Sequence, residues 1–175
     1  MRENRHLEET IEGQIPALRR YARGLAGPDQ AAIADQMVAD VVTRALREDQ
    51  RPQMAVPRLW LFAALTSLNR RRLRAPAVTA PGWRPTVAPE QAQKRPLGLT
   101  EALAETALEC REALLLVVVE GFSYAQAADI LGVNRLGVAT RLARGRKELS
   151  AKLDANRCDP AKPGARHPPY LRLVK

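Results

Sequence analysis

The chain is predicted to be all-α, folded as two small helical domains joined by a proline-rich linker. Three observations predict it. Aromatic residues are limited to two Trp, three Tyr and two Phe, while 46% of the residues are apolar and alanine, leucine and arginine dominate. That mixture favours helices over strands. Apolar residues recur at intervals of three and four through most of the chain, the spacing of one helix face. Between Ala75 and Leu97 the period vanishes, and Pro76, Pro81, Pro85, Pro89 and Pro96 mark an extended connection.

Each element follows from its own stretch. Leu7, Ile11, Ile15, Leu18, Ala22 and Leu25 form the first apolar stripe, with Pro16 either kinking one helix or opening a second. Gly27-Pro28-Asp29 ends it. Ile33, Met37, Val41 and Ala45 give a second stripe, and Pro52 and Pro57 bracket the next connection. Leu59, Trp60, Phe62 and Leu65 open a third helix that runs out into Asn69-Arg70-Arg71-Arg72-Leu73-Arg74, and Trp60 and Phe62 are expected in the core. Beyond the linker, Thr100 can cap a helix from Glu101. The run Ala113 to Val119 reads as a buried helix, far short of the roughly 20 apolar residues that span a bilayer. The expected units are a domain over residues 1–74, a flexible linker over 75–98, a second domain over 99–153 and a disordered basic tail over 154–175, where Pro160, Pro163, Pro168 and Pro169 lie. Trp83, inside the linker, could dock on a partner or pack back on its own domain.

Charge narrows the function. There are 28 Lys and Arg against 19 Asp and Glu, a net +9, which points to a polyanionic partner. The charge is also segregated. Asp29, Asp35, Asp40, Glu48 and Asp49 make residues 27–50 acidic, and Arg51, Arg58, Arg70, Arg71, Arg72 and Arg74 follow with no acid among them. The second half repeats the order: Glu101, Glu105, Glu109, Glu112 and Glu120 precede Arg135, Arg141, Arg144, Arg146, Lys147 and Lys152. Such alternation suits a protein that touches both DNA and another protein. Met1-Arg2-Glu3-Asn4-Arg5-His6 lacks an apolar signal core, so a cytoplasmic protein is expected, with no membrane partner. Cys110 and Cys158 stand far apart with only His6 and His167 as further soft ligands, so no metal or disulfide is expected. No nucleophile or phosphate-loop constellation stands out; neither a cofactor nor an enzymatic activity is expected.

The window Gly121 to Asn134 carries the most information. Ser123 with Gln126 is a capping box, Gly132 stands where a left-handed helix end is needed, and Asn134 can cap a second helix from Arg135. Ala127 and Ala128 permit a close helix crossing, with Leu131, Val133, Val138 and Leu142 filling the angle. This is the pattern of a helix-turn-helix, whose second helix enters the DNA major groove. Arg135 and Thr140 at its start are placed to read bases; Arg141, Arg144 and Arg146 are better placed for phosphates.

The segment Arg111 to Tyr124 and the exit Arg141-Leu142-Ala143-Arg144-Gly145-Arg146 resemble region 4 of bacterial sigma factors of the extracytoplasmic-function (ECF) type. Leu18-Arg19-Arg20-Tyr21-Ala22-Arg23, Ala34 to Asp40 and Leu59-Trp60-Leu61-Phe62 are similar to their region 2. The resemblance covers about residues 10–153 in the family's order. It implies a three-to-four-helix region 2 whose Asp35, Gln36 and Asp40 dock on the β′ clamp helices of core RNA polymerase. It further implies that Arg70, Arg71, Arg72 and Arg74 engage the promoter's minus-ten element, while region 4 reads the minus-thirty-five element and touches the β flap. An anti-sigma factor would be a further partner, and polymerase-bound protein would sit on the nucleoid. Three departures stand out: Ala39 where a polar residue is common, few aromatics after Phe62 with only Asn69 to substitute, and Arg135-Leu136-Gly137-Val138 opening the recognition helix. Two other readings stay open: a sigma mimic that sequesters an anti-sigma factor, and a helix-turn-helix regulator with an unrelated first domain.

Overall fold

The structure, a computed structural model, describes residues 2–47, 57–74 and 98–157. The connection expected over 75–98 therefore lies outside the described residues up to 97, as do Trp83 and the tail beyond 157. Seven α-helices are present among the described residues, without a strand: α1 (Arg2–Ala26), α2 (Ala31–Leu46), α3 (Pro57–Arg74), α4 (Leu99–Ala104), α5 (Leu108–Leu114), α6 (Tyr124–Leu131) and α7 (Arg135–Arg157). The all-α expectation holds.

In the first half three helices close one core. Ile11, Leu18, Ala22 and Leu25 of α1 meet Met37, Val41 and Ala45 of α2 and Leu61, Phe62 and Leu65 of α3, all buried. α1 runs unbroken through Pro16. Ile33 departs from the expected stripe: it is 38% exposed, and Ala34 and Val38 complete the buried face instead. Phe62 is core as expected, and Trp60 is partly buried against it. Pro57 opens α3, the position where its missing N–H costs nothing.

The second half departs from the sequence reading in three places. Its first helix starts at Leu99 with Gly98 as the capping residue, and the Thr100 hydroxyl donates to the Glu101 carboxylate rather than accepting from backbone. The apolar run is not uniformly buried. After α5 the chain underwinds into a wider π-helical segment, Leu115–Val119, in which Val118 and Val119 face solvent at 58% and 44% exposure. Third, α7 continues past 153 to Arg157, with the Ser150 hydroxyl bonded to Asp154 one turn on.

The two halves do not stand apart. A continuous apolar core runs through both, and three rings connect them: Phe62 lies 5.2 Å from Tyr21 and 4.9 Å, edge to face, from Phe122. Arg58 sits 4.4 Å from the centre of the Phe122 ring and donates to the Glu120 carbonyl.

Candidate nucleic-acid and polymerase interface

Local chemistry builds the helix-turn-helix as its sequence requires. The Ser123 hydroxyl accepts from the Gln126 N–H at 3.2 Å while the Gln126 side chain accepts from the Ser123 N–H at 3.0 Å. Two of the donors that a helix start leaves orphaned are thereby satisfied. Gly132 ends α6 at φ 67° and ψ 38°, a left-handed conformation, returning its N–H to the Ala128 carbonyl. The chain then turns, and the Asn134 side chain accepts from the Gly137 N–H at 2.7 Å to start α7. Ala127, Ala128, Leu131, Val138 and Leu142 are buried in the angle between the helices.

α7 presents a sorted surface. Arg135, Thr140, Arg144 and Arg146 are exposed. The Thr140 hydroxyl donates to the Leu136 carbonyl at 2.9 Å. Arg141 is turned toward α5, 3.4 Å from Glu109, with its side chain only 21% exposed. Arg144 donates to Glu148 one turn on, at 2.7 Å. This contact first, and the Ala107 N–H second, hold the Glu148 carboxyl below the usual carboxylate range. Leu136, which the sequence reading did not assign, is 74% exposed.

The four arginines at the end of α3 divide. Arg71 and Arg74 are exposed. Arg72 reaches Gln30 of the α1–α2 turn and the side-chain oxygen of Asn69, each at 3.2 Å. Arg70 faces the second half, where Nε donates to Glu112 Oε1 at 2.9 Å, a second donor reaches Oε2, and another lies 3.3 Å from the Leu131 carbonyl. Glu112 has no exposure at all. Asn69, the residue available in sequence to hold an unpaired base, is fully buried.

The acidic helix divides too. Gln36 and Asp40 lie exposed, one turn apart and hydrogen-bonded at 2.8 Å. Asp35 leans on α1, 3.7 Å from both Arg19 and Arg23. Residues that sequence reasoning missed tie the halves together. Arg20 makes a two-pronged contact with the buried Glu120, at 2.9 and 2.7 Å, and Arg111 donates at 3.0 Å to the Leu25 carbonyl at the end of α1. These partners stand 100 and 86 positions apart, beyond any local signal.

Comparison with known proteins decides the family. Residues 11–66 match the model described as the Sigma2 domain of PhyR, and residues 98–149 match Sigma-70, region 4. The chain is 35% identical over 156 residues to the ECF RNA polymerase sigma factor EcfG of Rhodopseudomonas palustris (strain TIE-1), across 84% of each protein. The chain belongs to the ECF RNA polymerase sigma factors. Among solved structures this sigma factor is similar to RpoE of Bartonella quintana in complex with the anti-sigma factor NepR, with a TM-score of 0.63 and 28% identity over 83% of this chain and 95% of that one. PhyR of the same organism, an anti-anti-sigma factor also complexed with NepR, shares the fold with a TM-score of 0.58 and 18% identity, over 82% of this chain and 49% of its own. CnrH, complexed with the cytosolic domain of CnrY, does so with a TM-score of 0.58 and 23% identity, over 86% of this chain and 89% of its own. The sigma factor thus binds core RNA polymerase and directs promoter recognition. Its first half is region 2 and its second half region 4. Among the described residues no helix is long and apolar enough to cross a membrane.

Proposed function

We propose that this sigma factor docks on the β′ clamp helices of core polymerase through the outward face of α2, where Gln36 and Asp40 are presented together. Asp35 supports that face from behind by holding α2 to α1. The exposed Arg71 and Arg74 meet the minus-ten region first; Arg70 joins them once region 4 moves away, and Arg72 once it leaves Gln30 and Asn69 of region 2. α7 enters the major groove at the minus-thirty-five element with Arg135 and Thr140 toward the bases and Arg144 and Arg146 toward phosphates, while region 4 also touches the β flap. An anti-sigma factor holds the chain in reserve in the cytoplasm, as NepR accompanies RpoE in the similar complex. Catalysis stays with the polymerase. The reading rests on one observation: a fully capped helix-turn-helix with a basic, exposed second helix in a chain 35% identical to an ECF sigma factor.

Run-off transcription with bacterial core polymerase over a promoter library tests it. Transcripts should depend on this chain, and permanganate should detect unpaired thymines near the start site. A second reading has a specific observation behind it, since residues 11–66 match the sigma domain model of PhyR. On that reading the chain would open no promoter, yet would bind an anti-sigma factor and release another sigma factor from it.

A further inference from the structure

The side chain at the second position of α7 is the most exposed large apolar group among the described residues: Leu136 is 74% accessible. Its place is fixed. Asn134 caps the first turn through the Gly137 N–H, and the buried Val138 and Leu142 anchor the opposite face of the helix in the core. Leu136 is also not isolated. Thr140 and Ala143 follow at four and seven residues, the spacing of one helix face, and both are exposed. Thr140 has committed its hydroxyl proton to the Leu136 carbonyl, which leaves that side chain its methyl group and an acceptor to offer. Of the guanidinium groups nearby, Arg141 leans on Glu109 and Arg144 on Glu148, which leaves Arg135, exposed at the start of the helix, as the neighbouring donor.

The outward line of the recognition helix is therefore apolar where direct hydrogen-bond readout would want donors. Within the major groove one base edge is apolar, the 5-methyl group of thymine. Resting on the reading that α7 enters that groove, we propose that Leu136 is a specificity-determining residue that reads a thymine methyl, with Thr140 and Ala143 extending the same apolar surface. Recognition along this line is by shape and methyl contact. Arg135, beside Leu136 at the start of the helix, supplies charge.

The test is a methyl scan on the full-length chain assembled with bacterial core polymerase. A bound promoter fragment is first selected from random duplexes, and each thymine of its upstream element is then replaced in turn by deoxyuridine. Loss of one methyl at the position facing Leu136 should weaken binding about three- to fivefold, the worth of burying one such group. Leu136→Ala should lose a similar factor on the unmodified promoter and become indifferent to deoxyuridine at that position alone, with an unchanged melting temperature because the side chain is exposed. An Arg135→Ala variant should retain the methyl sensitivity. If no methyl matters to the parent protein, or if Leu136→Ala keeps the full sensitivity, the proposal is overturned. If Leu136→Ala weakens polymerase binding while the methyl sensitivity persists, Leu136 faces protein and the proposal is likewise overturned. Should the holoenzyme select no upstream element at all, the groove-binding reading of α7 fails, an outcome distinct from the others.

Discussion

Gly132 carries the turn between α6 and α7 in a conformation that an L side chain resists, at φ 67°. Replacing it by alanine should cost about 1–2 kcal/mol, seen as a lower denaturant midpoint with an unchanged slope. Ser123→Ala removes one arm of the capping box and should cost about 1 kcal/mol. These residues were legible in the sequence because each partner lies within four positions, so composition and spacing determine the contact. Asn134 was legible for the same reason. The exposure of Leu136 was not, because its spacing of three to the half-buried Val133 and Ala139 leaves open which face is outward until α5 is in place. Nor was the fate of Thr140: its hydroxyl could serve a base or the helix, and the geometry assigns it to the helix in the free protein.

At the scale of the element, two helices read from sequence as uniform turn out to be two-sided. The basic end of α3 appears as a run of like residues, yet the 100° step between neighbours sends Arg71 and Arg74 outward and Arg70 toward α5. Arg71→Ala and Arg74→Ala should therefore each weaken holoenzyme binding on any promoter and reduce the slope of affinity against salt by about one unit. A titration series at several salt concentrations measures both. The acidic helix divides in the same manner. Asp40→Arg, on the exposed face, should reduce association with core polymerase severalfold, chiefly in the on-rate and most at low salt. Asp35→Ala should instead loosen the packing of α1 on α2 by less than about 1 kcal/mol, since its arginine partners are more than half exposed. If the two variants lose polymerase affinity equally, the division of α2 into a docking side and a supporting side is wrong. Periodicity located α2 and α3 in the sequence. What it could not supply was the rotation of each helix about its axis to within one residue, as the displacement of Ile33 by Ala34 and Val38 shows.

For the whole molecule, the alternation of acidic and basic stretches has a second meaning that the sequence concealed. Part of it is internal. Glu112 and Glu120, from the acidic stretch of region 4, are the partners of Arg70 and Arg20 of region 2, and the side chain of Gly24 is absent where Leu115 comes closest, with a Cβ placed there meeting its Cδ2 at 2.6 Å. The two pairs are not equivalent. Both carboxylates are fully buried, but the Arg20 side chain is 56% exposed and the Arg70 side chain 28%, so water can replace the former more readily. Removing one member of a buried pair strands a charge at a cost of about 3–5 kcal/mol. Here the molecule has a cheaper response than unfolding, because separating the halves returns Glu112 to water. Arg70→Ala should thus separate region 2 from region 4. The radius of gyration from small-angle scattering should rise, while helicity by circular dichroism should hold. Arg20→Ala should do the same more weakly. Replacing the pair together by apolar residues of similar volume, Arg70→Met with Glu112→Leu, should restore the compact form, since no stranded charge remains. A compact Arg70→Ala variant, with a scattering profile and melting temperature like those of the parent, would show that the shared apolar core and the remaining polar contacts hold the halves together and that the Arg70–Glu112 pair is incidental to their docking.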